Sequence, residues 1–555
     1  MNQRGEEGRL TEPRAARLLY GVPNESPSAE SFTPEERRLL EPYFTNLEGP
    51  VFALINLPDV VKGALFARYS RSAKSLRRLF LDEFTDKVSG ADRQAPDVGV
   101  ERAERLYTRV FHEYGDDSVA QLGGAHIACE GASNLLTKVL ERGRLAAYLE
   151  QSTRYVPYTD RPQGHWKYLI PEELNGTTLR AQYVRTLDRA FEIYTRWIEP
   201  MQDYYKAKHP KDPEDSDGVY RAAIRAKALD TLRGLLPAAT QSNVGIFGSG
   251  QAYESLLLQM RAHPLTEMQR YAEMMLVELR KVIPAFLTRV DLPNRGVLWS
   301  DYLSTTQTDL KQTSMTVLAD IDPQLRDEVS LVDFDPDGEV KVVAAALYAV
   351  SNLPDSQLLA MARQMSTNER ASILKAYIGA RTNRRHKPGR AFERTGYRFD
   401  VLSDYGAFRD LQRHRLLSIE WQDLTTDHGF NEPAAIEEAG ALADWRQVME
   451  SSVELHEALQ KATLGAVAPY AVAMAYRIRF YMHMNAREAM HVIELRSAPQ
   501  GHPAYRRVCQ AMHRLIAEKA GHRAIAAAMR FADHSAVDLE RLQAERASEK
   551  KRLRS

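Results

Sequence analysis

Apolar positions along the chain follow two rhythms, and the same order of rhythms is written twice. A short alternating run, GGAHIACEG (123–131), predicts a strand, and GYRFDVLS (396–403) predicts another. Each leads into a helical segment that ends in Arg-x-Arg: KVLERGR (138–144) and RDLQRHR (409–415). Across the two copies Leu140 meets Leu411, Arg142 meets Arg413, Arg144 meets Arg415, Leu145 meets Leu416 and Gln151 meets Gln422. Upstream, GALFARYSRS (63–72) is similar to AAALYAVSN (344–352). Downstream, RGLLPAATQSNVGIFGSGQAYESLLLQMR (233–261) answers LGAVAPYAVAMAYRIRFYMHMNAREAMHVIELR (464–496). Similarities in one order argue for duplication. The expectation is an α+β protein of two homologous halves, 51–290 and 335–545, each a mixed or antiparallel sheet with helices, together forming a pseudo-dimer. Residues 1–50 read as an extension with short helices such as FTPEERRLLEPY, 291–334 as a linker with an acidic, Asp-Pro-containing end, and 546–555 as a charged tail.

Composition narrows the class. The chain has 555 residues with 74 basic and 74 acidic side chains, so nothing in the overall charge points to nucleic acid or a membrane surface. The longest apolar run, 464–476, is too short to span a bilayer and contains a proline, and MNQRGEEGRL lacks the apolar core of a secretory signal. Two cysteines, Cys129 and Cys509, exclude a disulfide framework and suit a reducing, cytoplasmic location. Neither belongs to a CxxC pair, and no metal site is expected. Both fall on segments where buried, inert thiols are the rule.

Three motifs carry chemistry. Arg413-His414-Arg415 sets two guanidinium forks and an imidazole at a predicted helix end, which suits a bound phosphate and equally a basic surface turn. Glu150, Ser152 and Arg154 stand at i, i+2, i+4, where serine and arginine can hold a phosphate and the carboxylate can accept from a hydroxyl or amide. NAREAMHVIELR (485–496) returns Asn485 and Arg496 to nearly one helix face about 16 Å apart. It also offers Met490, Val492, Ile493 and Leu495 for packing, and His491 reads as a ligand contact or a polar-face residue.

In order and spacing these motifs resemble the flavin-dependent thymidylate synthases. That family's signature joins Arg-His-Arg, a serine three residues on, and Asn-Glu-x-Ser-x-Arg-Tyr; a later helix carries Asn-x-Arg and a further arginine. The resemblance covers most of both halves, so the chain resembles a tandem fusion of two family units whose signatures have diverged in complementary ways. The first half keeps Arg142, Arg144, Glu150, Ser152, Arg154 and Tyr155, with Gly143, Ala147 and Leu149 departing, and it keeps Arg233 and Arg261 but has Gly250 and Ala252 where the second half has Asn485 and Arg487. The second keeps Arg413, His414, Arg415 and Ser418, has Glu420, Trp421, Asp423 and Thr425 where the signature continues, and keeps Asn485, Arg487 and Arg496.

The resemblance implies a uracil-nucleotide site built from Glu150, Ser152, Arg154, Arg233 and Arg261. It implies a flavin (FAD) site built from Arg413, His414, Arg415, Ser418, Asn485, Arg487 and His491. Arg413, His414 and Arg415 would stabilise charge on the flavin, with Arg261 and Arg496 as equal candidates for polarising the pyrimidine. The implied reaction is dUMP to dTMP with NADPH and methylenetetrahydrofolate, at composite sites in a homodimer that mimics the family's tetramer. The alternatives are another uracil nucleotide, or a non-catalytic homologue that binds nucleotide or flavin. Segments DDSVAQL (116–122) and PGRAFER (388–394) lack the family's first histidine, although Phe392 and Glu393 remain, which leaves folate less secure than flavin.

Overall fold

Residues 31–48, 52–69, 72, 74–85, 121–539 and 541–553 are described in the computed structural model, and the chain divides into two units. The first 30 residues of the extension and most of DDSVAQL lie outside the described residues. The smaller unit takes the chain up to Ala125 together with 249–251 and 280–287. Among its described residues are the helices α1 (Pro34–Leu40), α2 (Asp59–Tyr69) and α3 (Leu76–Phe84). Thr33 and Glu36 form a reciprocal capping box at the start of α1, and Phe44 packs edge-on against Phe80.

The larger unit holds most of both halves. In the first, β1 (Gly124–Ser133) leads into α4 (Asn134–Leu140), then β2 (Ala146–Glu150). The long α5 (Leu179–Lys208) and α6 (Asp217–Leu232) follow, then β3 (Gln241–Ser249), α7 (Gly250–Arg261) and α8 (Thr266–Arg280). A 20-residue helix, α9 (Leu298–Val317), comes before the second half. There β4 (Val329–Phe334), α10 (Gly338–Tyr348), β5 (Gly396–Asp404), α11 (Tyr405–Leu411) and β6 (Ser418–Trp421) precede α12 (Leu442–Lys461). They are followed by β7 (Arg477–Asn485), α13 (Ala486–Arg496), α14 (Pro503–Glu518) and a terminal α15 (Leu542–Arg552). Among the described residues no helix is long and apolar enough to cross a membrane.

The sheets repeat one topology. The first runs β1-β3-β2 and the second β4-β5-β7-β6, with β4 added at an edge. Register is preserved too: Ala147 stands opposite Phe247 and its counterpart Ser418 opposite His483. Equivalent residues cap equivalent helices, Ser133 accepting from Leu136 N–H and Asp404 from Ala407 N–H. In β7 the alternation puts Ile478, Phe480, Met482 and Met484 inward, as period two requires. This register corrects one pairing of the copies. Ser249, not Gly250, is the counterpart of Asn485, because each is the last strand residue before its helix.

The halves are joined backbone to backbone. Pro237 pairs with Ala473, and around them Ala238 N–H donates to Val472 O (2.8 Å) while Met474 N–H donates to Leu236 O (2.9 Å). Farther out, Ala239 N–H donates to Tyr470 O and Ala475 N–H to Gly234 O, both at 3.0 Å. The four bonds form two symmetric pairs, so a pseudo-two-fold axis passes beside Pro237. The expected linker is not a bare connection: it contains α9, and β4 already belongs to the second sheet. The expected tail begins inside α15 rather than after it.

Gly234 lies where the Trp445 ring leaves no room, since a Cβ there would come 2.6 Å from the ring edge and 3.1 Å from Ala475 Cβ. Gly234→Val is expected to lower unfolding free energy by about 1–3 kcal/mol through overpacking at the seam. A urea midpoint unchanged from wild type would show that the seam yields without strain.

Candidate functional site

The two Arg-x-Arg segments follow α4 and α11 and cross beside the axis. Arg415 Nη1 donates to Ala146 O, Arg144 Nη2 donates to Ser418 Oγ (3.1 Å), and Arg142 Nη2 pairs with Glu420 (2.5 Å). Each half thus seats its basic motif against the other half's short strand.

Deeper in, four guanidiniums from both halves surround two carboxylates. Asp410 takes Arg413 Nη2, lies 3.4 Å from Arg496 Nη1 and 3.8 Å from Arg233 Nη1. Arg154 donates Nε and Nη2 to Asp230 at 2.8 and 2.6 Å, and Nη1 reaches Gln500 O and the Tyr505 hydroxyl. Burial alone would raise the Asp410 pKa, but Arg413, Arg496, Arg233 and Arg154 outweigh it and hold the carboxyl far below its usual range. Arg233 Nη2 is buried without a hydrogen-bond partner. His502 caps α14, and burial with Arg233 and Arg154 nearby keeps its ring neutral, well below its ordinary pKa. A cavity of about 520 Å³ opens alongside, lined by Asp230, Arg233, Asp404, Trp445, His502 and Arg507 among others, within the usual size of a small-molecule site.

A second buried cluster lies beside the first. Glu150 accepts from Arg409 Nη2 (2.7 Å) and Lys138 Nζ (3.2 Å), with Arg413 Nη1 at 3.8 Å. Burial would raise its pKa, but Arg409, Lys138 and Arg413 prevail and hold it at about 2. Lys138 also pairs with Glu141 (2.6 Å), whose pKa burial raises.

On α13, Arg496 Nε donates to His414 Nε2 (2.9 Å), so the His414 proton belongs on Nδ1, 3.7 Å from Glu488. His491 Nδ1 lies 3.3 Å from the other Glu488 oxygen. His414, Glu488 and His491 bring one possible metal-ligand atom each within 4.8 Å of one another. The Arg496 charge and the proton it places on Nδ1 favour a proton-sharing triad there over a cation.

Comparison with known proteins identifies the kinship. The thymidylate synthase complementing protein family matches residues 64–285 and again 330–521. The chain belongs to that family. The two matches fit the tandem duplication. The "UPF0159 protein" of Chlamydia muridarum (strain MoPn / Nigg) is 38% identical over 520 residues, 93% of this chain and 98% of its own. The "UPF0159 protein Ta1429" of Thermoplasma acidophilum is 31% identical over 514 residues, 87% of this chain and 97% of its own. A "Flavin-dependent thymidylate synthase" of Clostridium tetani (strain Massachusetts / E88) is 26% identical over 200 residues, 35% of this chain and 73% of its own. Among solved structures, a UMP/dUMP methylase PolB from Streptomyces cacaoi bound with 5-Br dUMP aligns with 37% of this chain and 96% of its own, at 18% identity and a TM-score of 0.31.

Within this family member, the structure gathers Arg154, Arg233, Arg413 and Arg496 around Asp410, and His414 and His491 around Glu488. Asn485 caps α13 through Glu488 N–H, and Arg487 donates to Pro388 O (3.0 Å) and pairs with Glu393 (3.4 Å). Ser152 Oγ accepts from Arg154 N–H (3.2 Å). Arg261 is not brought into the cluster; its ion pair is with Glu273. Sequence reasoning missed Asp410, Asp230, Glu488, His502 and Tyr505. Asp410 stands one helical turn before Arg413 and His502 precedes Pro503 at a helix start, the only local signals either residue offers.

Burial, reinforced by Arg496 and only partly opposed by Glu488, lowers His414 from 6.5 to about 4. The unfolded imidazole therefore binds its proton first, and stability falls as pH drops from 6.5 toward 4. Burial would raise Glu488, but hydrogen bonds from His414 and His491 hold it at about 2, so its contribution is lost only below its ordinary 4.5. Between pH 6.5 and 4.5, His414→Gln should remove on the order of 2 kcal/mol of the acid destabilisation seen in wild type. Urea titrations with the same pH slope in both proteins would contradict a neutral buried His414.

Proposed function

We propose that this chain methylates a deoxyuridine nucleotide, dUMP to dTMP, at a composite site built from both halves, with FAD as cofactor. The observation that carries the reading is the guanidinium cluster. Arg154 and Arg233 come from the first half, Arg413 and Arg496 from the second, and against Asp230 and Asp410 they leave two uncompensated positive charges. That surplus matches the dianion of a phosphate monoester, and guanidinium forks suit its geometry. Arg154 and Arg233 would hold the phosphate, with Ser152 beside them, while Arg496, close to the His414 ring, faces the reacting end.

The residues present fit an anionic flavin cofactor. Arg413 Nε is buried without a partner, Arg415 is exposed, and Arg487 and His491 share one face of α13 at i, i+4. These groups, with Asn485 and Ser418, would hold FAD. When bound, the flavin supplies the redox chemistry of the transfer. Arg413 and Arg415 would place positive charge where negative charge develops, and the His414–Glu488–His491 triad holds a proton at His414 Nδ1. NADPH as reductant, methylenetetrahydrofolate as carbon donor and a cytoplasmic homodimer belong to the same proposal.

Calorimetry with dUMP and visible absorbance of the purified protein test it. Arg154→Ala should weaken dUMP binding at least about tenfold, the loss of one charge-assisted contact, while the protein stays yellow. Arg261→Ala should leave dUMP affinity unchanged. His414→Ala with Arg415→Ala should abolish flavin retention. A colourless wild-type protein, or dUMP binding indifferent to Arg154, would sink the reading.

A further inference from the structure

Helix α9 is poorly suited to stand alone. Eight of its twenty residues are serine or threonine, types of low helix propensity, and a lone helix of this length is marginal in water. Thr308 and Thr313 turn their hydroxyls back onto Ser304 O and Asp309 O, a habit that further weakens a helix. Yet only Ser300 is buried, where its hydroxyl reaches Leu258 O at 3.3 Å. Beyond that first turn the helix carries large apolar side chains into solvent: Tyr302, Leu310 and Val317 are each 68% exposed. Isolated surface leucines are ordinary, but a row of apolar side chains along so exposed a helix marks a contact surface.

The row has the spacing of a helix–helix seam. Trp299, Leu303, Thr306, Leu310, Thr313 and Val317 follow one another at intervals of four and three. The pattern is nearly symmetric about Thr306. Of its three charged residues, Asp301 and Lys311 lie equally far to either side of Thr306, whereas Asp309 has no charged counterpart. In an antiparallel pair of two identical helices crossing there, Asp301 of each faces Lys311 of the other, and Leu303 of each lies near Leu310 of the other. We propose that α9 is an arm that pairs antiparallel, about Thr306, with α9 of a second copy of this chain. A two-fold axis requires such self-complementary contacts, and a different partner would have no reason to match them. The inference rests on the homodimer proposed above but not on its nucleotide chemistry, and the variants of α9 separate the two.

Light scattering and sedimentation of the full chain decide it. Wild type should be a dimer at micromolar concentration. Leu303→Glu with Leu310→Glu should give monomers. Asp301→Lys and Lys311→Asp should each raise the dissociation constant by about tenfold or more, and the double exchange should restore it. Both native cysteines are buried, so Thr306→Cys should cross-link two chains under mild oxidation with little background. A monomeric wild type, no cross-link at 306, or charge variants without loss and rescue would each overturn the arm.

Discussion

The backbone pairing of 234–239 with 470–475 is the constraint on which the rest depends. Four hydrogen bonds in two symmetric pairs hold Pro237 against Ala473, and the strands β3 and β7 begin only a few residues farther on. Arg233 sits at one end of this seam and α11 packs across it, with Gly406 beside the Arg233 guanidinium. A shift of one residue along the seam would move Arg233 by more than 3 Å and turn neighbouring side chains to the other face. The distance from Arg233 to Asp410 is therefore set by main-chain geometry, not by the flexible side chains that make the contact.

Near the axis, equivalent residues have been given unequal work. Lys138 and Arg409 occupy matching positions on α4 and α11, and both turn to one carboxylate, Glu150. The residue equivalent to Glu150 is Trp421, which packs against Phe408 and lies near the Arg142 guanidinium. Glu150 thus takes cations from both halves, with Glu141 sharing Lys138. Buried pairs of this kind add little net stability over apolar packing, but breaking one leaves an uncompensated charge at a cost of about 3–5 kcal/mol.

The duplication could be read from sequence because it rests on periodicity and on Arg-x-Arg spacing, both local properties. The same is true of the strands around 124 and 396 and of the helix starting after Asn485. The ion pairs of the site were out of reach, because Glu150 meets Arg409 and Arg154 meets Asp230 and Tyr505 across long stretches of chain. Arg261 shows the converse. With Ser249 matched to Asn485, the counterpart of Arg496 is Met260, and Arg261, one residue farther along α7, is spent on Glu273. The one-residue misplacement of Asn485's counterpart arose where a glycine drew the alignment past the true end of β3. Helix α9 escaped notice because its serines and threonines blur the contrast between its faces.

Asp410 is the least intuitive part of the cluster, since a carboxylate among arginines competes with any incoming anion. Without it, however, Arg233, Arg413 and Arg496 would repel one another in a partly desolvated space, where like charges cost most. Asp410 and Asp230 hold the four guanidiniums in place before a ligand arrives, so less ordering is required on binding. They also set the residual charge. Four cations against no acid would favour polyphosphates as readily as a monoester, whereas a surplus of two matches one dianion. On the proposed reading, the two aspartates both organise the site and limit the charge it accepts, a role visible only once residues from both halves are brought together.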